Sequence, residues 1–376
     1  MALTIGRYKI KVERRLVIKR ELPALISIVS AIIGVLVGGL FFLALGYSPI
    51  DAYSRVGRVF TDAKTFFLAV RVAIPIMFTS IALTLPFRMN FFNIGAEGQL
   101  YMGAIGAMIP VILYWSGVDL PQPLYVPLMI ILAILFGGLW GLIPAYLRAK
   151  WRVNEILTSL MLNFVALQFI WYLVSPGGPW NEANPAFKER YLEYLKTQGV
   201  TLIPGFKGTP VIPEFARIDS VSALVLAVVA ATIIYFLGTR TVLGYEIKVV
   251  GESELASKYA GVNYMRMALV TMFISGALAG LAGFVSLSTY LLKLMPEIST
   301  AGYGYTGIIA AWLARLNPIA CLFVSIFFGA LTQAGSIMQQ ELRISHYVSV
   351  GFEGLIFLFL VMGDFLLHYR VRIIKR

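Results

Sequence analysis

Few side chains in this sequence are suited to covalent chemistry. The two histidines, His346 and His368, are far apart in the sequence and lie near the ends of apolar runs, while the single cysteine, Cys321, is inside one. Isolated residues of this kind form neither a catalytic triad nor a metal site, because both need several groups that converge. The sequence also lacks any Gly-Lys dipeptide, so the phosphate-binding loop of P-loop nucleotidases is absent. We therefore predict no catalytic residues, no metal ligands and no cofactor bound by this chain.

Polar side chains at the mouth of an apolar run could instead contact a polar solute. The stretch Phe87 to Ala104, FRMNFFNIGAEGQLYMGA, combines three glycines with Asn93, Glu97 and Gln99. Irregular backbone at membrane depth is tolerated only beside protein or a water-filled cavity. The stretch is therefore either the cap on the inner end of a helix or part of a pore lining.

Two further amides, Asn163 and Gln168, lie in the apolar run that follows Asn154. They are five positions apart, so they do not share one helix face. Each is either a contact between helices or a contact to the solute. The residues that we predict to line a path for a small polar solute are Asn93, Glu97, Gln99, Asn163, Gln168, Thr306 and Gln333.

The composition places these residues in a membrane. Of 376 residues, 59% are hydrophobic and 13% are charged, which is more apolar surface than a soluble core can bury. A helix needs roughly 20 apolar residues to cross the hydrocarbon layer, and such runs recur often enough for about ten spans. The runs lack the alternation of a membrane barrel. The sequence predicts an all-α polytopic integral membrane protein, with residues 1–376 forming one transmembrane domain.

The basic residues set the orientation of the predicted spans. Lys9 to Arg20 precede the first span, and such residues favour the cytoplasmic side, so residues 1–21 are expected in the cytoplasm. Ten crossings put both termini there. The net charge of +12 fits this bias and anionic lipid rather than nucleic acid. The predicted spans are 22–45, 66–85, a span that begins within 91–104 and ends at 115, 124–146, 156–174, 221–237, 267–287, 303–313, 319–337 and 350–367.

Three segments outside the spans carry expectations of their own. A helix on the outer interface is expected within Tyr47 to Thr65, where apolar residues recur at helical spacing. Residues 175–220 are rich in proline and are predicted to be an extracytoplasmic loop. Glycines four residues apart, at 34 and 38, at 137 and 141, and at 276 and 280, are expected to let helix backbones approach closely.

The polar segment 239–266 is predicted to lie in the cytoplasm and to contain a short helix. Ser253 can cap its N-terminus, Glu254 is in its first turn, Lys258 is in its last turn, and Gly261 is where a left-handed stop is usual. Leu255, Ala256, Tyr259 and Ala260 then share one face. A small apolar stripe among charged neighbours predicts a contact with a partner.

Four motifs connect these residues to a known family. FNIGAEGQLYMGA, NEILTSLMLNFVAL, GYEIKVVGESELASKYAGVN followed by SGALAGLAG, and GYTGIIAAWLARLNP occur in this order between about Gly46 and Val361. The sequence resembles permeases of ATP-binding-cassette importers in the branched-chain amino acid and simple-sugar permease superfamily, and within it nucleoside-type permeases. Met89 and Asn90 stand where the family pattern has a small residue and a glycine.

The resemblance implies a transport subunit of the cytoplasmic (plasma) membrane that is not itself an enzyme. It implies that the chain translocates a nucleoside or simple sugar together with a second, different permease, ATP-binding subunits that hold ATP and magnesium, and an extracytoplasmic solute-binding lipoprotein. The segment Gly244 to Gly261 would contain the coupling helix that contacts the ATPase. The residues implied in this contact are Glu252, Ser253, Glu254, Leu255, Ala256, Lys258, Tyr259 and Gly261.

Three other functions can be weighed against this one. An ion-coupled secondary transporter of a similar solute usually has ionisable residues inside the membrane, whereas Glu97, Glu155, Glu353 and Asp364 all fall near predicted span ends. A potassium channel is disfavoured, because Gly302-Tyr303-Gly304 lacks the preceding Thr-Val of a selectivity filter. A membrane scaffold or enzyme without transport is the third alternative.

Overall fold

The computed structural model describes residues 2–5, 8–14, 22–203, 205–345, 348, 350–352, 354–356, 358–359, 362–363 and 369–375. The predicted span 350–367 lies largely outside these residues, as do His346, Glu353, Asp364 and His368. Within the described ranges the α-helices are α1 (Leu22–Ala44), α2 (Pro49–Thr61), α3 (Ala63–Arg88), α4 (Ala96–Trp115), α5 (Tyr125–Trp151), α6 (Glu155–Val174), α7 (Pro185–Thr197), α8 (Ser220–Arg240), α9 (Val242–Glu252), α10 (Glu254–Tyr259), α11 (Tyr264–Val285), α12 (Tyr303–Leu313) and α13 (Pro318–Leu342).

The prediction of a helical membrane protein is confirmed for the body of the chain. Seven helices in the described residues are long and apolar enough to cross a membrane, namely α3, α4, α5, α6, α8, α11 and α13 with short extensions, and Ile32–Ala44 is a shorter apolar helix. The helix expected within Tyr47 to Thr65 is present as α2. The sequence does not predict α7, α9 or the three short strands near the chain ends.

These strands are β1 (Ala2–Ile5), β2 (Tyr8–Arg14) and β3 (Tyr369–Lys375), which form one antiparallel sheet in the order β1-β2-β3. In its register Tyr8 is opposite Lys375, and Arg14 is opposite Tyr369. The two ends of the chain therefore pair with each other.

The chain divides into two compact units, one of Met1–Phe67 with Ala330–Arg376 and one of Leu68–Gly329. In the first unit, Arg55 and Arg58 of α2 pair with Glu341 of α13 at 2.6 and 2.7 Å. Gly38 of α1 lies against the ring of Phe352. The second unit holds most of α3 and the helices from α4 to α12.

The core of the second unit is the contact of α11 with α4 and α5. A methyl group placed on Gly280 would stand 2.2 Å from the Ala133 carbonyl oxygen, and one on Gly137 would stand 2.4 Å from the Gly276 carbonyl oxygen. On the α4 side, a methyl group on Gly103 would stand 2.2 Å from the Gly280 Cα. The close approach predicted for the glycine pairs of α5 and α11 is therefore confirmed. The pair in α1 instead faces aromatic side chains.

Helix α12 has the bounds of the predicted span 303–313, but it is short for a membrane span. Its 11 residues reach roughly 16 Å, about half of the hydrocarbon thickness. It lies beside the second half of α3, where Thr79 donates a hydrogen bond to the Tyr303 carbonyl at 2.9 Å. A separate 3-10 turn, Pro296–Thr300, precedes it. Residues 296–313 thus form a broken helical segment.

The hydrophilic segment between α6 and α8 is folded and is attached to the membrane helices. Lys293, which follows α11, pairs with the buried carboxylate of Glu182 at 2.6 Å. Trp115, the last residue of α4, packs against the rings of Tyr191 and Tyr194 of α7. Burial, and then the nearby Glu182 carboxylate, raise the pKa of Tyr191. The segment therefore covers the end of α4 opposite to its start at Ala96.

We predict that Gly280→Ala lowers the stability of the protein by about 1–3 kcal/mol, because the new methyl group forces α11 away from α5. The matched control is Gly57→Ala on α2, where a methyl group meets no atom within 4 Å. Alanine there should leave stability unchanged or raise it slightly, since alanine favours helix more than glycine does. Melting temperatures of the purified variants in detergent test this. Equal melting temperatures would contradict the close packing of α5 and α11.

Candidate functional site

The polar segment between α8 and α11 forms two short helices, α9 and α10, that meet at Ser253. Thr241 caps α9 by accepting a hydrogen bond from the Gly244 amide. The helix predicted after Ser253 is present as α10, with Lys258 in its last turn. Gly261 has φ +72°, the left-handed backbone that the sequence predicts there. The start and the stop predicted for the helix after Ser253 are thus confirmed for α10.

One face of this segment is apolar and exposed. Leu255 and Tyr259, four residues apart on α10, are 63% and 87% exposed, while Ser257 is buried on the opposite side. On α9, Val242 and Tyr245 are also exposed. We call these four exposed residues of α9 and α10 the docking patch. Of the other residues implied in an ATPase contact, Glu252, Ser253, Lys258 and Gly261 are exposed too, and Glu254 and Ala256 lie in α10.

A second group of polar side chains is buried where α4 begins. The Asn93 amide nitrogen donates to Gln99 at 3.0 Å and to Ser275 of α11 at 3.1 Å. Its oxygen accepts from the Gly95 amide at 2.9 Å. Because buried polar groups are costly without partners, this network fixes the turn before α4 against α11.

Asn163 attaches α6 to the same turn. Its oxygen accepts from the Gly98 amide at 2.8 Å, and its nitrogen donates to the Ile94 carbonyl at 2.9 Å and to the Tyr305 hydroxyl at 3.2 Å. The side chain is 2% exposed. All of its hydrogen-bonding groups therefore have partners in α4, the turn before α4, or α12.

Glu97 lies at the N-terminus of the half-length helix α12. Its carboxylate accepts a hydrogen bond from the Gly304 amide and another from the Tyr101 hydroxyl at 2.8 Å. A helix N-terminus has unpaired amides and a partial positive charge, so it stabilises an anion. The protein thus places its own carboxylate at the break that precedes α12. We call Asn93, Glu97, Gln99 and Asn163 the buried polar cluster.

The structure brings together four of the seven residues predicted to line a path. Gln168 is exposed in the second half of α6, where it borders an open cavity of about 480 Å³ with Trp171 and Tyr172. Thr306 is half-buried on α12, and Gln333 is half-buried in the other unit. The expected separation of Asn163 and Gln168 onto different faces of α6 is confirmed.

The sequence alone does not identify several members of the network, namely Ser275, Tyr101, Tyr305 and the Gly304 amide. Serine and tyrosine are common in apolar helices, and the partners are far apart in the sequence, with Glu97 and Gly304 separated by 207 residues. A polar residue near a glycine-rich break is the available signal, and it identifies Asn93, Glu97 and Asn163 but not these partners. Among the described residues, no three His, Cys, Asp or Glu side chains come together as a metal site.

Known proteins are similar to this chain over most of its length. The profile of the family described as branched-chain amino acid transport system / permease component matches residues 65–361. The glucose ABC transporter permease protein TsgB13 of Haloferax volcanii is 33% identical over 374 residues, which are 96% of this chain and 94% of that protein. Two guanosine ABC transporter permease proteins of Bacillus subtilis are also similar. NupP is 30% identical over 84% of this chain and 87% of its own, and NupQ is 26% identical over 71% and 81%.

We predict that Asn163→Leu destabilises the protein, because the Gly98 amide and the Ile94 carbonyl lose their partner. A buried group left unpaired costs about 1–3 kcal/mol. Gln168→Leu is the matched control, since it removes an exposed amide from the same helix and should change stability by less than about 0.5 kcal/mol. Melting temperatures in detergent distinguish the two. If the two variants lowered the melting temperature equally, Asn163 would not be a structural contact.

Proposed function

We propose that this chain, which belongs to the family of permease components of branched-chain amino acid transport systems, is the membrane-spanning subunit of an ATP-binding-cassette importer for a nucleoside or simple sugar. The solute class comes from the relatives, whose names specify glucose and guanosine. Both are small solutes with several hydroxyl groups. Amide and hydroxyl side chains are suited to bind them.

The observation that carries the proposal is the docking patch. Leu255 and Tyr259 present an apolar stripe on a two-turn helix whose flanking residues are polar, so the stripe is suited to a groove in a protein partner. We propose that the partner is the ATP-binding subunit, which holds ATP and magnesium, and that α10 is the coupling helix. The wider contact would include Glu252, Ser253, Glu254, Ala256, Lys258 and Gly261.

In the membrane arrangement that we propose, the chain crosses about ten times, three times more than the seven candidate spans of the described residues. The additional crossings are α1, the broken segment 296–313 and the run 350–367. Because ATP is cytoplasmic, the docking patch lies in the cytoplasm. The hydrophilic segment between α6 and α8, at the other end of α4, is then extracytoplasmic and available to a solute-binding lipoprotein. Both termini are cytoplasmic in this arrangement, and residues 1–376 form one permease domain.

A second permease subunit completes the assembly that we propose. Bacillus subtilis has two guanosine permease proteins, NupP and NupQ, and both are similar to this chain. Two different permeases in one importer would explain such a pair. A heterodimer gives the solute a path between or within two non-identical subunits, each contacting an ATP-binding subunit.

Within this chain the seven polar residues divide into two roles. The buried polar cluster is fully engaged in hydrogen bonds, so we propose that it frames the path and holds α4, α6 and α12 in place. Gln168 is exposed, and Thr306 and Gln333 are half-buried, so these side chains are available to a solute. We propose them as the contacts to the solute in the path.

The decisive experiment measures uptake by the assembled importer in liposomes. We expect radiolabelled guanosine or glucose, tested separately, to accumulate only when ATP, the ATP-binding subunit, the second permease and the solute-binding protein are all supplied. An ionophore should have no effect. Uptake by this chain alone, abolished by the ionophore, would establish an ion-coupled carrier instead. A complex that neither binds the solute-binding protein nor transports would leave a scaffold or enzyme as the function.

We predict that Leu255→Glu weakens binding of the ATP-binding subunit by at least about tenfold, because it buries a charge in an apolar contact. Val200→Glu is the matched control. Val200 is 54% exposed, similar to Leu255, but lies in the hydrophilic segment at the opposite end of α4. Co-purification of the ATP-binding subunit and the ATPase rate test this. Equal binding in both variants would contradict the role of α10 as the contact.

A further inference from the structure

We propose that Asn90 is a positioning residue that joins the docking segment, which consists of α9 and α10, to the membrane core formed by α4, α11 and the helices packed on them, so that displacement of the docking segment moves the start of α4. This inference rests on the proposed function, because it assigns a means of transmission to the contact with the ATP-binding subunit. Asn90 lies in the turn between α3 and α4.

The backbone of Asn90 is in the left-handed region, with φ +56°. Glycine adopts this region freely, and asparagine is among the few other residues that tolerate it. Asparagine therefore adds an amide group without changing the path of the backbone.

The side-chain amide of Asn90 donates to the Gly251 carbonyl at 2.5 Å. Gly251 is in the last turn of α9, where carbonyl groups have no partner within the helix. The two backbones are in direct contact here, since a methyl group on Gly251 would stand 2.2 Å from the Arg88 carbonyl oxygen. Asn90 thus binds the end of α9 three residues before α10 begins.

The turn that carries Asn90 is itself attached to the membrane core on two sides. Arg88 donates to the Leu316 carbonyl at 2.7 Å, in the turn between α12 and α13. Asn93, three residues after Asn90, binds Gln99 of α4 and Ser275 of α11. The turn is closed internally by a bond from the Phe91 amide to the Pro86 carbonyl at 2.9 Å. Movement of the end of α9 is therefore passed to the start of α4 and the end of α12.

This arrangement explains why a side chain at this position matters. Without the Asn90 amide, the docking segment would follow the core through its covalent links and through packing at Gly251. With it, a directional hydrogen bond opposes sliding of α9 along the turn. We therefore assign Asn90 to coupling, with no contact to solute or nucleotide.

The test measures the number of ATP molecules hydrolysed per solute molecule taken up. The importer is reconstituted in liposomes with all its subunits, and the probes are radiolabelled guanosine and glucose. Asn90→Gly keeps the left-handed backbone and removes only the amide. We expect the number of ATP molecules hydrolysed per solute molecule to rise by roughly 2- to 10-fold, which is the change in an equilibrium that the loss of one net hydrogen bond produces. Half-saturation by the solute should stay unchanged, because the path is not altered.

Two further variants separate coupling from stability. Asn90→Asp keeps the size of the side chain but faces the Gly251 carbonyl with an acceptor, so it should raise the ratio at least as much as Asn90→Gly. Tyr53→Phe is the matched control, since it removes only one hydroxyl of α2 that donates to the Val35 carbonyl of α1, another bond from a side chain to the backbone of a neighbouring element. We expect it to lower the melting temperature as much as Asn90→Gly does and to leave the ratio at the wild-type value.

Amide hydrogen exchange of the assembled importer gives a second measurement. Residues 251–262 should exchange faster in Asn90→Gly than in the wild type, and no faster in Tyr53→Phe. A wild-type ratio in both Asn90 variants, or a ratio raised equally by Tyr53→Phe, would overturn the inference even if uptake is ATP-driven. Absence of ATP-dependent uptake by the wild-type importer would instead overturn the proposed function.

Discussion

The contact of α11 with α4 and α5 is the constraint on which the rest of the second unit depends. In a lipid environment apolar side chains gain little by leaving lipid for one another, so helices associate through close packing and hydrogen bonds. Glycines at 103, 137, 276 and 280 bring these three helices into backbone contact, where any side chain would collide. Helix α11 is therefore held in place by α4 and α5, and the positions of its two ends are fixed. One end receives the chain from α10, and the other leads to Lys293 and the broken segment.

A second constraint follows from the break before α12. Backbone at membrane depth that is not helical must find hydrogen-bond partners inside the protein. The Gly304 amide donates a hydrogen bond to the carboxylate of Glu97. In the turn before α4, the Gly95 amide donates to Asn93 and the Ile94 carbonyl accepts from Asn163. The buried polar cluster is thus the condition under which a half-length helix and an irregular turn can coexist at this depth. Amide and carboxylate side chains here suggest a path for a solute, but the irregular backbone also needs them as hydrogen-bond partners.

Much of this fold could be predicted from local patterns, and what could not has identifiable causes. The bounds of α12 follow from flanking glycines and from Asn317-Pro318, and the end of α10 follows from Gly261, because each signal lies within a few residues of its effect. Helix α9 is not predicted because it is only 11 residues long and contains two glycines, which lower helix propensity. Helix α7 is not predicted because the prolines near it indicate turns. Strands β2 and β3 pair residues from opposite ends of the chain, a contact that no local pattern records. For the candidate site, the sequence could identify Glu97 and Asn163 as polar residues near a break. It could not show that their partners are α12 and the start of α4.

The attachments of the docking segment determine what kind of motion it can transmit. Its covalent link to α11 passes through Gly261 and Val262, where a left-handed glycine permits a sharp change of direction. A segment held only by this link and by its link to α8 at Thr241 could rotate about the two links, and a push from a partner would be lost as rotation. The bond from Asn90 to Gly251 and the backbone contact with Arg88 supply a further attachment, on a turn that also holds α4 and α12. This attachment lies away from both covalent links and therefore prevents free rotation. A displacement of α10 must then change the relation between α11, which is fixed by its glycines, and the turn before α4, where the buried polar cluster is located.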